Sequence, residues 1–291
     1  MAGLKDIRNR ITSVKSTRQI TSAMKMVSAA KLKKAQDRVI QIRPYATKLK
    51  EVLTEVSSSL DKNHAGIFNE NRKTENVLIV LMASNRGLCG AFNSNICKKS
   101  IQHIKDNYSA LAENNKVKFY CIGKKAVDFI KKTEFEIIDT GNEIFDDLKF
   151  ANTNIIAGKL MKHFKDKTFD KIDIVYNSFK NAAVHDQKVE TFLPMSLEIE
   201  ERANPSEYIF EPGVDKIIEE MIPKSLKIQL FRSILDSNAA EHGARMTAMH
   251  QATDNASELI KDLTLMYNKA RQAAITSEIL EITSGAEALK G

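Results

Sequence analysis

The chain has 291 residues, of which 43% are hydrophobic and 28% charged, as expected for a globular protein with one large or two modest domains. No apolar run approaches the roughly 18 residues that a membrane-spanning helix needs, and the first residues lack the apolar core of a signal peptide. The three cysteines, Cys89, Cys97 and Cys121, match neither a disulfide framework nor a zinc spacing. We therefore expect free thiols in a reducing compartment.

Positive charge is concentrated at the start of the chain. The formal net charge is +7, and residues 1–60 hold thirteen lysines and arginines against four acidic residues, whereas residues 224–291 hold eight of each kind. Such a basic segment indicates an acidic partner, which could be nucleic acid, anionic lipid or an acidic protein surface, or else a solvated face. Charge alone leaves these alternatives open.

The first sixty residues predict a long helix. No glycine occurs between Gly3 and Gly66, and at the one proline, Pro44, we expect a kink or a restart. Apolar residues recur at steps of three and four, with a shift of phase near Arg18. The two apolar sets are Leu4, Ile7, Ile11 and Val14, then Ile20, Met24, Val27 and Ala30.

The end of the chain predicts a second long helix, starting after Pro223. Its mean repeat of 3.5 residues is the signature of a left-handed coiled coil. The repeating positions are Met246, Met249, Thr253, Ala256, Ile260, Leu263, Tyr267, Ala270, Ala274 and Ser277. Many of these side chains are small, so we expect two helices at close approach. Because one helix enters the middle of the chain and the other leaves it, the pair must be antiparallel.

Between the helices the sequence predicts an α/β domain. The run at 77–82 is continuously apolar, as in strands that are buried on both faces of a parallel sheet. Further strands are predicted at 117–122, 135–138, 172–176 and 189–193, with helices at 93–107, 124–132 and 153–165. This alternation indicates a Rossmann-like, doubly wound sheet. The predicted fold class is α/β, with domains at 1–62 (N-terminal coiled-coil helix), 63–222 (globular α/β domain) and 223–291 (C-terminal coiled-coil helix).

The segment after the first strand is the strongest candidate for a site. A glycine turn there binds phosphate in doubly wound folds, but residues 84–90 lack the third glycine of the dinucleotide fingerprint and the Gly-Lys-Ser/Thr of a P-loop. A tight turn that packs against a partner is favoured over a phosphate site. The candidate residues are Arg86, Gly87, Leu88, Cys89 and Gly90. No catalytic, cofactor-binding or metal site is predicted elsewhere, since no nucleophile has a base nearby in a recognisable pattern.

Several ordered blocks resemble the gamma subunit of F-type ATP synthases over nearly the whole chain. They are LKDIRNRI at 4–11, QITSAMKMV at 19–27, NRGLCG at 85–90 with Asn93, YIFEP at 208–212, ARMTAM at 244–249, ATDNA at 252–256, YNKARQAAIT at 267–276 and EILEI at 278–282. Long blocks in register are far more specific than any short motif.

The resemblance implies a central rotor stalk that has no catalytic site or cofactor of its own. In that family the paired terminal helices stand inside a ring of three alpha and three beta subunits, and the globular domain binds the membrane c-ring together with the epsilon subunit. The positions that match the family's contacts with the ring are Met24, Lys25, Arg245, Gln272 and Thr276. The tip at 284–289 would sit in an apolar bearing at the top of the ring.

The resemblance also implies a cellular location. The cysteine-containing insertion of chloroplast relatives is missing, because 204–206 follow 198–203 directly, and no arginine-rich, acid-poor transit leader precedes Leu4. We expect a bacterial protein that is peripheral to the inner or plasma membrane on its cytoplasmic face.

Two other functions are weighed against the rotor. A basic coiled-coil protein that binds nucleic acid would explain the charge of residues 1–60, but base-reading motifs and aromatic platforms are absent there. A nucleotide-dependent α/β enzyme rests only on the loop at 86–90. The matched blocks favour the rotor over both, with no nucleic acid as a partner.

Overall fold

The computed structural model describes residues 3–58, 67–70, 72–195 and 213–288. Residues 63–66, at the start of the predicted globular domain, the segment 204–206, the family block at 208–212 and the tip residue Leu289 lie outside these ranges. The chain forms two compact units, one made of its two ends, up to Ser28 and from Met246, and the other running from Ala29 to Arg245. Both boundaries between the units fall within long helices, away from the predicted domain boundaries after residues 62 and 222.

The second unit is built around a five-stranded sheet. Its strands are β1 (Val77–Met82), β2 (Val117–Ile122), β3 (Glu136–Thr140), β4 (Lys171–Phe179) and β5 (His185–Leu193). They lie in the order β3-β2-β1-β4-β5. The first four run parallel, and β5 runs antiparallel to β4, an arrangement common in otherwise parallel sheets. The predicted α/β fold class is confirmed.

The central strand is β1, whose six side chains are all buried. Val77 lies between Val117 of β2 and Lys171 of β4 in the register of the sheet. A strand that is covered on both faces needs a continuous apolar run rather than alternation, so the sequence prediction for this strand is confirmed. The strand order changes direction between β1 and β4, which makes the loop after β1 the switch point of the sheet.

Helices cover both faces of the sheet. They are α1 (Leu4–Ser58), α2 (Phe92–Asn107), α3 (Ser109–Glu113), α4 (Lys124–Ile130), α5 (Phe150–Lys165) and α6 (Val214–Ala288), with short 3-10 turns at Ile67–Asn69 and Asn142–Phe145. On one face, Ile96 of α2 and Ile130 of α4 join an apolar core with the sheet. On the other, Leu53 of α1, Leu160 of α5 and Leu230 of α6 form a second core. Two such layers are what a doubly wound fold requires.

Both long helices continue through a proline. The helix α1 does not restart at Pro44, and α6 begins at Val214, before the predicted start after Pro223. Each proline removes one helical hydrogen bond. However, Leu53 beyond Pro44 and Ile222 beside Pro223 are both buried in the core. Tertiary packing therefore outweighs the local cost in both helices.

Within the second unit, α1 and α6 run antiparallel. Arg43 of α1 pairs with Asp236 of α6, with 3.6 Å between Nη2 and Oδ1. Tyr45 lies further along α1, and the centre of its ring is 5.9 Å from Nζ of Lys224. Lys224 lies earlier on α6 than Asp236. Rising numbers on one helix therefore meet falling numbers on the other, as the topology predicted.

In the first unit, the buried positions of α6 follow the predicted seam. Met249, Ala256 and Leu263 are buried and recur at steps of seven. Between them, the hydroxyl of Thr253 lies 2.9 Å from the hydroxyl of Thr21 on α1. Alanine and threonine at a facing position let two helix backbones approach closely.

On α1, the predicted second apolar set is wrong. Ile20 and Val27 are 60% and 56% exposed, whereas the polar residues Thr21 and Ser28 are buried. A helix in a coiled coil keeps one facing stripe at a repeat of 3.5 residues. The stripe that includes Val14 therefore continues to 21 and 28 without a shift of phase. Small hydroxyl side chains fit there, and the larger apolar ones are left on the outside.

Candidate functional site

Residues 83–91 join β1 to α2 at the switch point of the sheet. They include the candidate residues of the loop 84–90. Leu88 and Gly90 have φ angles of 62° and 60°, in the left-handed region that glycine adopts freely and leucine rarely does. The side chain of Leu88 is 65% exposed. The loop thus presents one large apolar side chain to its surroundings from a tightly turned backbone.

Side-chain hydrogen bonds tie this loop to the ends of the neighbouring strands. Asn93 of α2 accepts a hydrogen bond from the backbone N–H of Ser84, at 2.9 Å, and donates to its hydroxyl, at 2.8 Å. Asn85 donates to the carbonyl oxygen of Asn142, at 2.8 Å, and accepts from the N–H of Lys124, at 3.0 Å. The chain segments that follow β1, β2 and β3 are therefore joined at one edge of the sheet.

Gly123, which follows β2, lies directly against the loop. Its φ is +102°, and a Cβ atom at this position would lie 2.0 Å from the carbonyl oxygen of Ala83. Its N–H donates to Oδ1 of Asn142, at 3.0 Å. Only glycine fits this close approach of two backbones.

Arg245 of α6 binds the carbonyl groups of the loop. Its Nη2 donates to the carbonyl oxygens of Arg86 and Gly87, at 3.1 and 3.3 Å. Its Nη1 donates to Oε1 of Glu241, at 2.6 Å, and the two side chains are each only 10% exposed. The structure thereby brings together two groups of predicted site residues, Arg245 and the loop, that are far apart in the sequence.

This contact argues against phosphate binding at the loop. In a phosphate-binding turn, backbone N–H groups face the ligand. Here two successive carbonyl oxygens, those of Arg86 and Gly87, face a guanidinium group instead. Carbonyl oxygens attract cations and repel anions, so the geometry favours the interpretation as a packing turn.

Burial shifts the pKa values of the groups around Arg245. Burial raises the pKa of Glu241, and the neighbouring cations, Arg245 first among them, partly offset the rise. Burial, with the charges of Arg245 and Lys31, lowers the pKa of His242 to about 4. Burial also raises the pKa of the Cys89 thiol. At neutral pH, His242 is therefore uncharged and Cys89 is a thiol, so neither carries a charge that could pair with Arg245. The acidic group that lies close to Arg245 is Glu241.

Sequence analysis did not select Glu241, although a signal was present. A glutamate four residues before an arginine on one helix is a favourable pair, and Glu241 precedes Arg245 by that spacing. Gly123 and Asn142 have no comparable signal, because their contacts are made with segments that are distant in the chain.

Met24 and Lys25 lie half-buried on α1 in the first unit. A groove of about 420 Å³ runs nearby between the two helix segments; it is lined by Arg18, Gln19, Ser22, Ala23, Met26, Thr253 and Ser257. Ile20 and Val27, one heptad apart, are exposed on the same side of α1. This part of α1 therefore combines exposed apolar side chains with basic ones.

Gln272 and Thr276 lie in the exposed last part of α6, where the Thr276 hydroxyl donates to the Gln272 carbonyl oxygen at 2.9 Å. At about 1.5 Å per residue, Gln272 lies about 28 Å along the helix from Thr253, the residue that meets α1 at Thr21. The predicted contact residues of the first unit therefore form two separate surfaces rather than one site.

The end of α6 carries an exposed apolar stripe. Ile275, Ile279 and Ile282 are 47%, 55% and 71% exposed. Their spacing of four and three residues places them on one side of the helix. Exposed apolar stripes of this kind are typical of interaction surfaces.

A separate polar cluster lies in the core of the second unit. Oδ2 of Asp173, on β4, accepts a hydrogen bond from the Tyr108 hydroxyl at 2.6 Å and lies 2.9 Å from Nε2 of His103. Burial alone would raise the pKa of Asp173, but the hydrogen bonds from His103 and Tyr108, together with the charge of Lys171, outweigh burial and lower it. Asp173 is thus held as a buried carboxylate by two neighbouring side chains.

Within the described ranges, no three His, Cys, Asp or Glu side chains are grouped as a metal ion would require. No helix among the residues that the structure describes is both long enough and apolar enough to cross a bilayer.

Relatives of known identity match the whole chain. A profile described as ATP synthase matches residues 3–289. The chain is 54% identical to the ATP synthase gamma chain of Christiangramia forsetii, over 100% of both proteins, and 54% identical to that of Flavobacterium johnsoniae, again over 100% of both. The ATP synthase gamma chain of Cytophaga hutchinsonii is 47% identical over 99% of both proteins.

Solved structures share the fold. A chain in the structure of the Euglena gracilis mitochondrial ATP synthase that contains OSCP, F1 and the c-ring matches with a TM-score of 0.70 and 24% identity, over 98% of this chain and 94% of that one. A chain in the rotor structure of the same enzyme matches with a TM-score of 0.64 and 21% identity, over 94% of this chain and 98% of that one. At these identities the likeness concerns the fold alone.

Proposed function

This chain belongs to the family of ATP synthase gamma chains, and from that membership we propose that it is the central rotor of an F-type ATP synthase. Ion flow through the membrane c-ring turns the rotor, and the turning drives ATP synthesis on the beta subunits; hydrolysis of ATP turns it back. In this proposal the catalytic sites belong to the beta subunits, and the chain contributes neither a catalytic site nor a cofactor. The observation that carries the proposal is the identity of 54% to gamma chains over their full length.

The proposed partners are three alpha and three beta subunits, the epsilon subunit and the c-ring. The first unit, made of the two chain ends, would contact the alpha–beta ring, and the second unit would bind epsilon and the c-ring. The exposed apolar residues of the first unit support this assignment, since Ile20 on α1 and Ile282 on α6 are 60% and 71% exposed and need a covering surface.

We propose Met24, Lys25, Gln272 and Thr276 as contacts of the rotor with the ring. All four side chains are exposed or half-exposed. Arg245 belongs to the same proposal, although its guanidinium already binds Glu241 and the loop. An arginine has five N–H donors, so a further acceptor on the ring could be bound as well.

Rotation is coupled to chemistry through unequal binding. The rotor stands inside a ring with three chemically identical catalytic subunits. It presents a different face to each of them, and so stabilises a different conformation in each. The interaction is reciprocal, because a rotor angle that changes nucleotide affinity is itself changed by nucleotide binding. The basic start of α1, within the segment of thirteen cations and four acidic residues, supplies a surface for acidic side chains of the ring.

For location, we propose the cytoplasmic face of a bacterial inner or plasma membrane, with attachment through the complex only. The organisms of the relatives, Christiangramia forsetii and Flavobacterium johnsoniae, support a bacterial origin. Nucleic acid is not a proposed partner.

The test is rotation of the chain in the assembled complex. The exposed Ile155 is changed to cysteine, a bead is attached there, the alpha–beta ring is fixed to a surface, and ATP is added; the native cysteines are buried and are not expected to react. We expect rotation in one direction. A complex that hydrolyses ATP while the bead stays still would contradict the proposal. As a control, a bead on an alpha subunit of the fixed ring should not rotate.

A further inference from the structure

We propose that Arg245 is a positioning residue that fixes the loop 84–90 to α6 and thereby holds the exposed side chain of Leu88 in one place. Its effect on coupling rests on the proposed rotor function, whereas its effect on the loop does not. All of the residues concerned belong to the second unit.

The first argument is the geometry of the contact. One nitrogen of Arg245 donates to two successive carbonyl oxygens of the loop, at 3.1 and 3.3 Å, and the other donates to Glu241, at 2.6 Å. The guanidinium group is planar and its donors form a rigid fork. An acceptor on each side therefore fixes the orientation of the group, and the group in turn fixes the two peptide units of the loop.

The second argument is burial. The side chains of Arg245 and Glu241 are each 10% exposed, and water competes little for hydrogen bonds in such a place. Without the arginine, the buried carboxylate of Glu241 would lose its close partner, which is unfavourable, and the two loop carbonyl groups would lose this donor. Burial of the Arg245–Glu241 pair therefore favours the contact over a free arginine side chain.

The third argument is what the contact supports. The residue that directly follows the two bound carbonyl groups is Leu88, with its left-handed φ of 62° and an exposed fraction of 65%. Hydrogen bonds of Asn85 and of Ser84 with Asn93 hold the start of the loop. Asn93 also donates to Sγ of Cys89 near its end, at 3.2 Å, and Arg245 binds its middle. The exposed side chain of Leu88 therefore stands on a backbone that is fixed at three points. Such a side chain can transmit force to a neighbouring surface without a change in the loop conformation.

The test compares two arginines of α6. Arg245→Lys keeps the charge but removes the planar fork, so that both carbonyl groups and Glu241 can no longer be bound together. Arg232→Lys is the matched control, because Arg232 binds Glu190 of β5, at 3.2 Å, instead of the loop carbonyl groups that Arg245 binds. A spin label on Leu88→Cys reports the motion of the loop in the assembled complex; the three native cysteines are buried.

We expect the spin label to move faster in Arg245→Lys, which would appear as narrower lines in its electron spin resonance spectrum. The motion of the label should be unchanged in Arg232→Lys. Proton pumping per ATP hydrolysed in vesicles should fall in Arg245→Lys alone, with the subunit composition of the complex unchanged. A fall in pumping with unchanged label motion would overturn the proposal, because Arg245 would then act on coupling without positioning the loop. Faster label motion with normal pumping would overturn the role in coupling. The label result stands even if the bead experiment shows that the chain does not rotate, so the two proposals fail separately.

Discussion

Gly123 is a position where one added carbon atom would disturb the candidate site. We expect Gly123→Ala to lower the free energy of unfolding by about 3 kcal/mol or more, because the left-handed φ alone costs about 1 to 3 kcal/mol in a residue with a side chain. The contact of 2.0 Å with the Ala83 carbonyl oxygen adds to this cost. Denaturant unfolding of the purified chain measures the change.

The control makes the same substitution elsewhere. Gly158 lies within α5 and has open space where a Cβ would stand, so Gly158→Ala should raise stability by up to about 1 kcal/mol. If both variants were equally stable, the close approach of Gly123 to Ala83 would be refuted.

Tyr108 stabilises the buried carboxylate of Asp173, and its removal should show in the dependence of stability on pH. Because the hydrogen bonds lower the pKa of Asp173, the stability that they add is present above the unfolded carboxyl pKa of about 3.9 and is lost as pH falls through the lower folded value. We expect Tyr108→Phe to cost about 1.5 to 3 kcal/mol at neutral pH. The difference in the free energy of unfolding between Tyr108→Phe and the unchanged protein should become smaller as the solution is acidified below about pH 4.

Denaturant unfolding at a series of pH values tests this expectation. Tyr45→Phe is a suitable control, since Tyr45 is 43% exposed, and it should change stability by less than about 0.5 kcal/mol at every pH. A Tyr108→Phe effect that did not vary with pH would mean that the hydroxyl does not act on the Asp173 charge.

At the scale of elements, α1 offers a direct test of its continuity. Pro44 is exposed in the helix interior, where proline is about 3 kcal/mol less favourable than alanine. Pro44→Ala supplies an N–H for the carbonyl group of Ile40, and we expect stability to rise by about 2 kcal/mol after the extra freedom of the unfolded chain is subtracted. Thermal unfolding followed by circular dichroism measures the change.

Gln41→Ala, an exposed change on the same helix, should alter stability by less than about 0.5 kcal/mol. If Pro44→Ala gave no increase, the interruption that the sequence predicts at Pro44 would be the better description.

Most elements could be predicted because their signals are local. The apolar run of β1 and the 3.5-residue seam of α6 depend only on neighbouring residues, and both are confirmed. The facing stripe of α1 could not be assigned by hydrophobicity, because its buried positions include Thr21 and Ser28. These hydroxyl groups are buried because a second helix packs closely against α1. That packing is a property of the helix pair and cannot be derived from the sequence of α1 alone.

At the scale of the whole molecule, the two units should differ in local stability. The second unit has two apolar cores on a sheet, whereas the first unit buries few large side chains, Leu263 among them. Hydrogen exchange of the isolated chain should therefore be faster for α6 amides after Met246 than for those before it. Leu263→Ala should accelerate exchange in the first unit, and Leu230→Ala in the second. Equal protection along the whole of α6 would contradict this expectation.

The candidate site shows the limit of sequence analysis at this same scale. The loop 84–90 was selected because of its place after a strand, and Arg245 because of a family resemblance, but nothing in the sequence joins them. Their contact depends on the path of α6 past the end of β1, which only the assembled fold determines.

The composition of the first unit also sets an order of events during synthesis. Its two parts, up to Ser28 and from Met246, are separated by the whole of the second unit, so the first part is synthesised well before the other. At about 5 to 20 residues per second, the early segment waits roughly 10 to 40 s for its partner, while the second unit can already begin to fold. Its facing stripe suits that delay, because the hydroxyl groups of Thr21 and Ser28 can bind water until the partner helix covers them.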